Sequence, residues 1–199
     1  MRPVRAAVQT KVAAAPVRLL RRNRTDAPVL RHAPVLLRAA TAADADVIHG
    51  LIEDHLAEGH LLPRDRHEIA RHAHRFVVAL QGTTVVACAE LAPLSKLVAE
   101  VRSFVVSRDA RSQGLGRRLI DALLTQAQAS GFATLCAFAH SPAYFVHLGF
   151  SIVPHAWLPE KIAVDCHACS QFRNCGQYAL MRSLPQANHT CVPLAALHG

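Results

Sequence analysis

Nowhere among the 199 residues do about 18 apolar side chains follow one another without interruption, so a membrane span is not supported. The N-terminal segment also lacks a long apolar core ending in a small-residue cleavage site, which argues against secretion. Acidic residues are scarce at that end: residues 1–34 hold eight basic side chains against one acid, Asp26, a balance of +7. The other 165 residues carry 14 basic and 13 acidic groups, a balance of +1. The net charge of +8 therefore belongs to one end of the chain, and the body is close to neutral. That weighs against a nucleic-acid-binding core, and we expect neither nucleic acid nor membrane as a partner. An Arg-rich, acid-poor leader has the flavour of a transit peptide, a disordered basic extension or an over-extended reading frame. We adopt the disordered extension, 1–34. With no secretory signal the reducing cytosol is the default location. The six cysteines, Cys88, Cys136, Cys166, Cys169, Cys175 and Cys191, are then not read as a disulfide framework.

Internal repeats and low-complexity stretches are missing too, and the rest of the chain alternates in type. Val35 to Arg38 reads as a strand. Thr41-Ala-Ala-Asp44 resembles a capping box, in which hydroxyl and carboxylate satisfy orphan helix N–H groups. Behind it Val47, Ile48, Leu51, Ile52 and Leu56 recur at helical spacing. A second helix is expected over 64–74, and Phe76–Leu80 and Thr83–Leu91 read as a hairpin turning at Gln81-Gly82. Ala99 to Val106 is a fourth strand. An amphipathic helix follows, with Leu115, Leu119, Ile120, Leu123, Leu124 and Ala127 on one face and a stop at Gly131. Ala133–Ala139, Phe150–Val153 and Gln177–Leu184 are further strands, with a short helix from Pro142 to Gly149. This order implies an α/β sandwich, one mixed sheet with helices on its faces, over 35–184, and a tail at 185–199.

Two loop families are excluded by what is missing: there is no Gly-Lys-Ser/Thr, and the dinucleotide Gly-x-Gly-x-x-Gly pattern is not matched. What is present is Arg111-Ser112-Gln113-Gly114-Leu115-Gly116, between a strand and a helix N-terminus. A row of backbone N–H groups there, helped by the helix dipole, can hold a pyrophosphate. The glycines allow close approach, and Arg117 and Arg111 can add charge-assisted contacts. A plain tight turn would read the same in isolation.

Three segments change that balance: Ala99-Glu-Val-Arg-Ser-Phe-Val-Val106, the Arg111–Gly116 loop and Tyr144-Phe-Val-His-Leu-Gly-Phe150, in that order and closely spaced. Together they resemble the GNAT superfamily of N-acetyltransferases, with its Arg/Gln-x-x-Gly-x-Gly/Ala acetyl-CoA signature after the fourth strand. The resemblance spans about 35–184. It implies a mixed, mostly antiparallel sheet with helices on both faces, and acetyl-CoA as cosubstrate. It also implies a splay between the fourth and fifth strands, where the backbone of Phe104, Val105 and Val106 pairs with the pantetheine arm.

Acetyl transfer needs a neutral amine, a route for its proton and stabilisation of the departing thiolate. Glu100 is the leading base. It shares a strand face with Arg102, Val101 and Ser103 taking the other, and a charged pair in an apolar strand is unusual unless it faces a cleft. An internal Glu100–Arg102 ion pair at the sheet rim is the structural alternative. The family's general acid is often a Tyr four residues before the later Gly. That position is Phe145 here, with Tyr144 one place earlier and about 100° round a helix. Tyr144 is the candidate acid, and a core aromatic is the alternative.

Leu62-Pro-Arg, Phe76-Val-Val, Ala99-Glu-Val-Arg-Ser, Leu158-Pro-Glu-Lys161, Asp165-Cys-His-Ala-Cys169 and Cys175 are similar to the short single-domain N-acetylglutamate synthases. That likeness implies L-glutamate as acceptor, on the path to arginine, with Arg38, Arg102 and Lys161 as cationic partners for its carboxylates. Another small amine, or a protein amine, is the alternative acceptor. A homodimer is compatible with this reading. Cys166, Cys169 and Cys175 with His167 have a spacing that zinc can use, but no metal is assumed.

Overall fold

The computed structural model describes residues 34–169 and 171–185. The basic extension expected over 1–34 and the tail over 185–199 lie, but for residues 34 and 185, outside them. Seven strands form one sheet: β1 (Val35–Ala39), β2 (Phe76–Gln81), β3 (Thr84–Pro93), β4 (Val98–Val106), β5 (Thr134–Ala139), β6 (Ser151–Val153) and β7 (Tyr178–Ser183). Their order is β1-β2-β3-β4-β5-β7-β6. Every pairing is antiparallel except β4 with β5. The mixed, mostly antiparallel sheet is therefore as expected.

Period-two alternation sorts the strand side chains between the two faces of the sheet, and the buried ones gather in three clusters. Val77, Ala79, Ala87, Ala89, Ala99 and Val101 face α3 (Leu115–Ala129), whose Leu119, Ile120, Leu123 and Ala127 are fully buried. Phe76, Val78, Leu80, Cys88 and Val105 face the other way, against Ile48 and Ile52 of α1 (Ala45–Leu56) and Ile69 of α2 (Arg66–Arg71). Each fully buried Leu or Ile contributes roughly 1.5–3 kcal/mol, so the apolar stripe of α3 anchors the loop in front of it. The short α4 (Ala143–His147) follows β5. A further helix, α5 (Pro159–Val164), was not anticipated, although Pro159 at its first position is a start signal. No helix among the described residues is long and apolar enough to cross a membrane.

The capping box forms. The Asp44 carboxylate accepts from Thr41 N at 2.8 Å and the Thr41 hydroxyl at 3.0 Å, at the head of a 3-10 turn leading into α1. Strict alternation fails in β4. Ser103 adopts φ 47°, and the β3–β4 register slips there, with Cys88 opposite Val105 but Glu90 opposite Arg102. One extra residue in β4 makes a bulge. Ser103 is consequently not on the face of Val101, as alternation would have it: its hydroxyl accepts from Arg64 Nη1 at 3.0 Å, on the α1–α2 side.

Candidate active site

β4 and β5 pair only from Val98 opposite Thr134 to Val101 opposite Ala137. Beyond that point they part, leaving the edge of Arg102–Val106 open to a cleft of about 1420 Å³. This is the splay, and the bulge at Ser103 stands at its apex.

At the mouth, the loop before α3 contains two residues with positive φ. Ser112 takes φ 62° and Gly114 φ 75°, after which α3 begins. These two positive-φ residues follow the extended Arg111, and the first turn of α3 has no intrahelical acceptors for its own N–H groups. The two glycines do different work. A Cβ on Gly114 would meet nothing within 4 Å, so the residue is set by its positive φ and leaves open space for a ligand. A Cβ on Gly116 would fall on the Tyr144 hydroxyl and lie 3.0 Å from Phe104 Cζ.

The loop's cations divide as well. The Arg111 guanidinium is bound to Glu58 at 2.8 and 3.0 Å, and its Nε to the Val106 carbonyl at 3.1 Å, so it braces the loop against the end of α1. Arg117 is exposed with no ion pair among the described residues, and it lines the cleft. The Gln113 side chain bonds to Gln81 and the Asp109 carbonyl and is not part of the cleft wall. Leu115 is buried beneath the loop. Phe104 and Val106 pack toward α3, whereas Val105 joins the α1 cluster.

Tyr144 and Phe145 both line the cleft, but Phe145 is buried in the core against Phe150, ring centroids 5.4 Å apart, and carries no hydroxyl. Tyr144 lies over Phe104, centroids 5.8 Å and 26° between planes. Burial raises the phenol above its ordinary pKa, against the pull of the Arg117 charge. Phe104 is four residues further along β4 than Glu100, beyond the Ser103 bulge. Tyr144 therefore stands toward the loop end of the cleft and Glu100 at the sealed end.

Glu100 is 3% exposed. Its carboxylate accepts from Arg102 Nε at 2.5 Å and from Lys161 Nζ at 2.7 and 2.9 Å. Arg102 also binds Asp165, as does Lys161 at 2.9 Å. The rim ion pair weighed from sequence is thus one edge of a four-membered cluster of two carboxylates and two cations. Lys161 also lies 5.1 Å from the centre of the Phe138 ring. Burial opposes the Arg102 charge, but Glu100, Asp165 and Glu90 hold its pKa above the ordinary value. Arg38, the third cation assigned to substrate, is elsewhere: it pairs with Asp44 at 2.7 and 2.8 Å and does not line the cleft.

Several participants were not singled out from sequence. Glu90, 2% exposed on β3, binds Arg64 at 2.7 Å, and Arg64 in turn binds Glu68. Its signal was an acid inside the apolar run Ala89-Glu90-Leu91. Glu58 carried none, since it is defined only by its partners, and Asp165 entered only within the Asp165–Cys169 segment, without a role of its own. Cys166 and Cys175 line the cleft, and no group of three or more His, Cys, Asp or Glu is placed to hold a metal among the described residues. Burial pushes Cys88 up to about 12 and raises Cys136, leaving both as inert core thiols.

The model of the acetyltransferase (GNAT) family matches residues 45–150. An uncharacterized N-acetyltransferase of Chlorobaculum tepidum is 28% identical over 76% of this chain and 98% of its own length. The amino-acid acetyltransferase of Escherichia coli K12 is 30% identical over 63% of this chain, which spans only 29% of that relative. Among solved structures, N-acetylglutamate synthase from Neisseria gonorrhoeae, complexed with coenzyme A and N-acetyl-glutamate, superposes with a TM-score of 0.69 at 26% identity. It covers 77% of this chain and 36% of that one. A Mycobacterium tuberculosis protein in complex with CoA superposes with a TM-score of 0.66 at 19% identity, over 75% and 99% of the two chains.

Proposed function

The chain belongs to the acetyltransferase (GNAT) family and is an acetyl-CoA-dependent N-acetyltransferase, and within that activity we propose that its acceptor is the α-amine of L-glutamate, the first step of arginine biosynthesis. The observation that carries this reading is the Glu100–Arg102–Lys161–Asp165 cluster at the sealed end of the splay. Two cations there suit a substrate bearing two carboxylates, and two carboxylates suit its ammonium group. The likeness to amino-acid acetyltransferases and to the gonococcal synthase supports it.

The residues fit the cosubstrate: a nest of N–H groups with open space at Gly114 suits a pyrophosphate, and the unpaired edge at 104–106 suits an amide-bearing arm. Acetyl-CoA supplies the acetyl group as an activated thioester. The backbone from Ser112 to Gly116, with Arg117, would hold the diphosphate, and Phe104, Val105 and Val106 would align the arm. Arg111 acts by fixing the loop through Glu58. Glu100 takes the proton of the incoming amine, and Arg102 and Lys161 orient a carboxylate by exchanging Asp165, which is one-third exposed, for the substrate. Tyr144 keeps its proton and is the donor on the coenzyme side.

A second reading has its own observation. Arg102 and Lys161 are already neutralised by Glu100 and Asp165, so the sealed end carries no excess positive charge, which favours a small amine without carboxylates. Thiol release from acetyl-CoA across a panel of amino acids and amines separates the two. We expect the highest kcat/KM with L-glutamate. Release with another amine and none with L-glutamate would end the glutamate reading.

A further inference from the structure

His55, in the last turn of α1, is 5% exposed and takes no part in the chemistry above. Its Nδ1 lies 2.8 Å from the Leu51 carbonyl oxygen. A carbonyl can only accept, so Nδ1 carries the proton, and the neutral ring then presents Nε2 as a bare acceptor. Nε2 is the one buried side-chain nitrogen or oxygen without a hydrogen-bond partner among the described residues. An unmade bond on a buried acceptor is a standing cost, and an explanation is owed at each such atom.

The explanation is in its position. His55 lines the same cleft as Val105 and Val106, whose strand edge is open. One turn further along the chain Glu58 grips Arg111 and Arg108, so this end of α1 adjoins the loop side of the cleft. We propose that His55 is a ligand-binding residue whose Nε2 accepts a hydrogen bond from an N–H or O–H group of a molecule lying along β4. The amide-bearing arm of the coenzyme is the first source of that donor and the acceptor amine the second. The inference rests on the coenzyme reading of the cleft and adds a side-chain contact to it.

Calorimetry with CoA alone, on the wild type and on His55→Leu and His55→Gln, tests it. Leu removes a buried unsatisfied acceptor, so the ligand-free Tm stays level or rises, while CoA affinity falls about fivefold to tenfold. Gln returns an acceptor oxygen and recovers part of the loss. If CoA affinity holds but KM for the acceptor amine rises by that factor, the donor is the amine. If neither moves in folded His55→Leu, the inference is overturned. The nitrogen NMR shift of His55 in wild-type protein needs no variant: it must change on adding CoA or acceptor, and a static signal at saturation overturns the proposal. Wild-type protein that fails to bind CoA would sink the coenzyme reading as well.

Discussion

Gly116→Ala probes whether the second glycine of the loop serves the ligand or the protein. The added Cβ falls on the Tyr144 hydroxyl and lies 3.0 Å from Phe104 Cζ and 3.2 Å from Tyr144 Cζ. Overpacking of this kind costs roughly 1–3 kcal/mol. Two effects reduce it: Tyr144 is 43% exposed and can swing, and Ala is favoured over Gly in a helix by up to about 1 kcal/mol. The expected net loss is about 1 kcal/mol, or a fall in Tm of about 2–4 °C for a domain of this size. Tyr144→Phe deletes the nearest of the three atoms. Its hydroxyl makes no hydrogen bond among the described residues, so that variant alone should lie within about 0.5 kcal/mol of wild type. Thermal unfolding of the four ligand-free proteins then forms a cycle in which the double variant is more stable than the sum of its parts by about 0.5–1 kcal/mol. CoA titration of the same set reports whether affinity recovers alongside. If Gly116→Ala costs the same with Phe at 144 as with Tyr, the contact with the Tyr144 hydroxyl is not why glycine is there.

Glu100→Gln keeps the shape of the carboxylate and removes its charge. If Glu100 accepts the amine proton, kcat should drop by about 10²–10⁴-fold, and an unchanged pH–rate profile with kcat within tenfold would remove it from proton transfer. Asp44→Asn tests the capping box by pH. The Arg38 guanidinium, opposed by burial and assisted by Thr41, holds the Asp44 carboxyl well below its usual range. A lowered native pKa stabilises fully above the unfolded value of about 3.9, and that stabilisation is lost as pH falls below it. Wild type should therefore exceed the variant by about 1 kcal/mol at pH 7, with the gap closing in denaturation experiments from pH 4 to pH 2. A gap that persists undiminished at pH 2 would refute the assignment.

Much of this molecule follows from local pattern. Short apolar, β-rich runs placed six of the seven strands to within a residue or so, and the apolar stripe of α3 and the glycine spacing before it marked the loop, because these signals depend on neighbours in the chain. The Glu100–Arg102 pair could be read for the same reason, two residues apart on one strand face. The rest depended on distance in sequence. Lys161 and Asp165 reach Glu100 and Arg102 from more than sixty residues away, Glu58 binds Arg111 from across the domain, and Asp44 takes Arg38 out of the site. Charges seek counter-charges in three dimensions, and no periodicity reports which of several arginines will find which acid. The bulge at Ser103 is likewise a property of two strands rather than one, since an extra residue exists only relative to a partner's register. Residue types and spacing thus determined the strands, the four expected helices and the loop, but not α5. Folding alone decided which cations stay near the cleft, which face Ser103 takes, and that Nε2 of His55 is left without a partner.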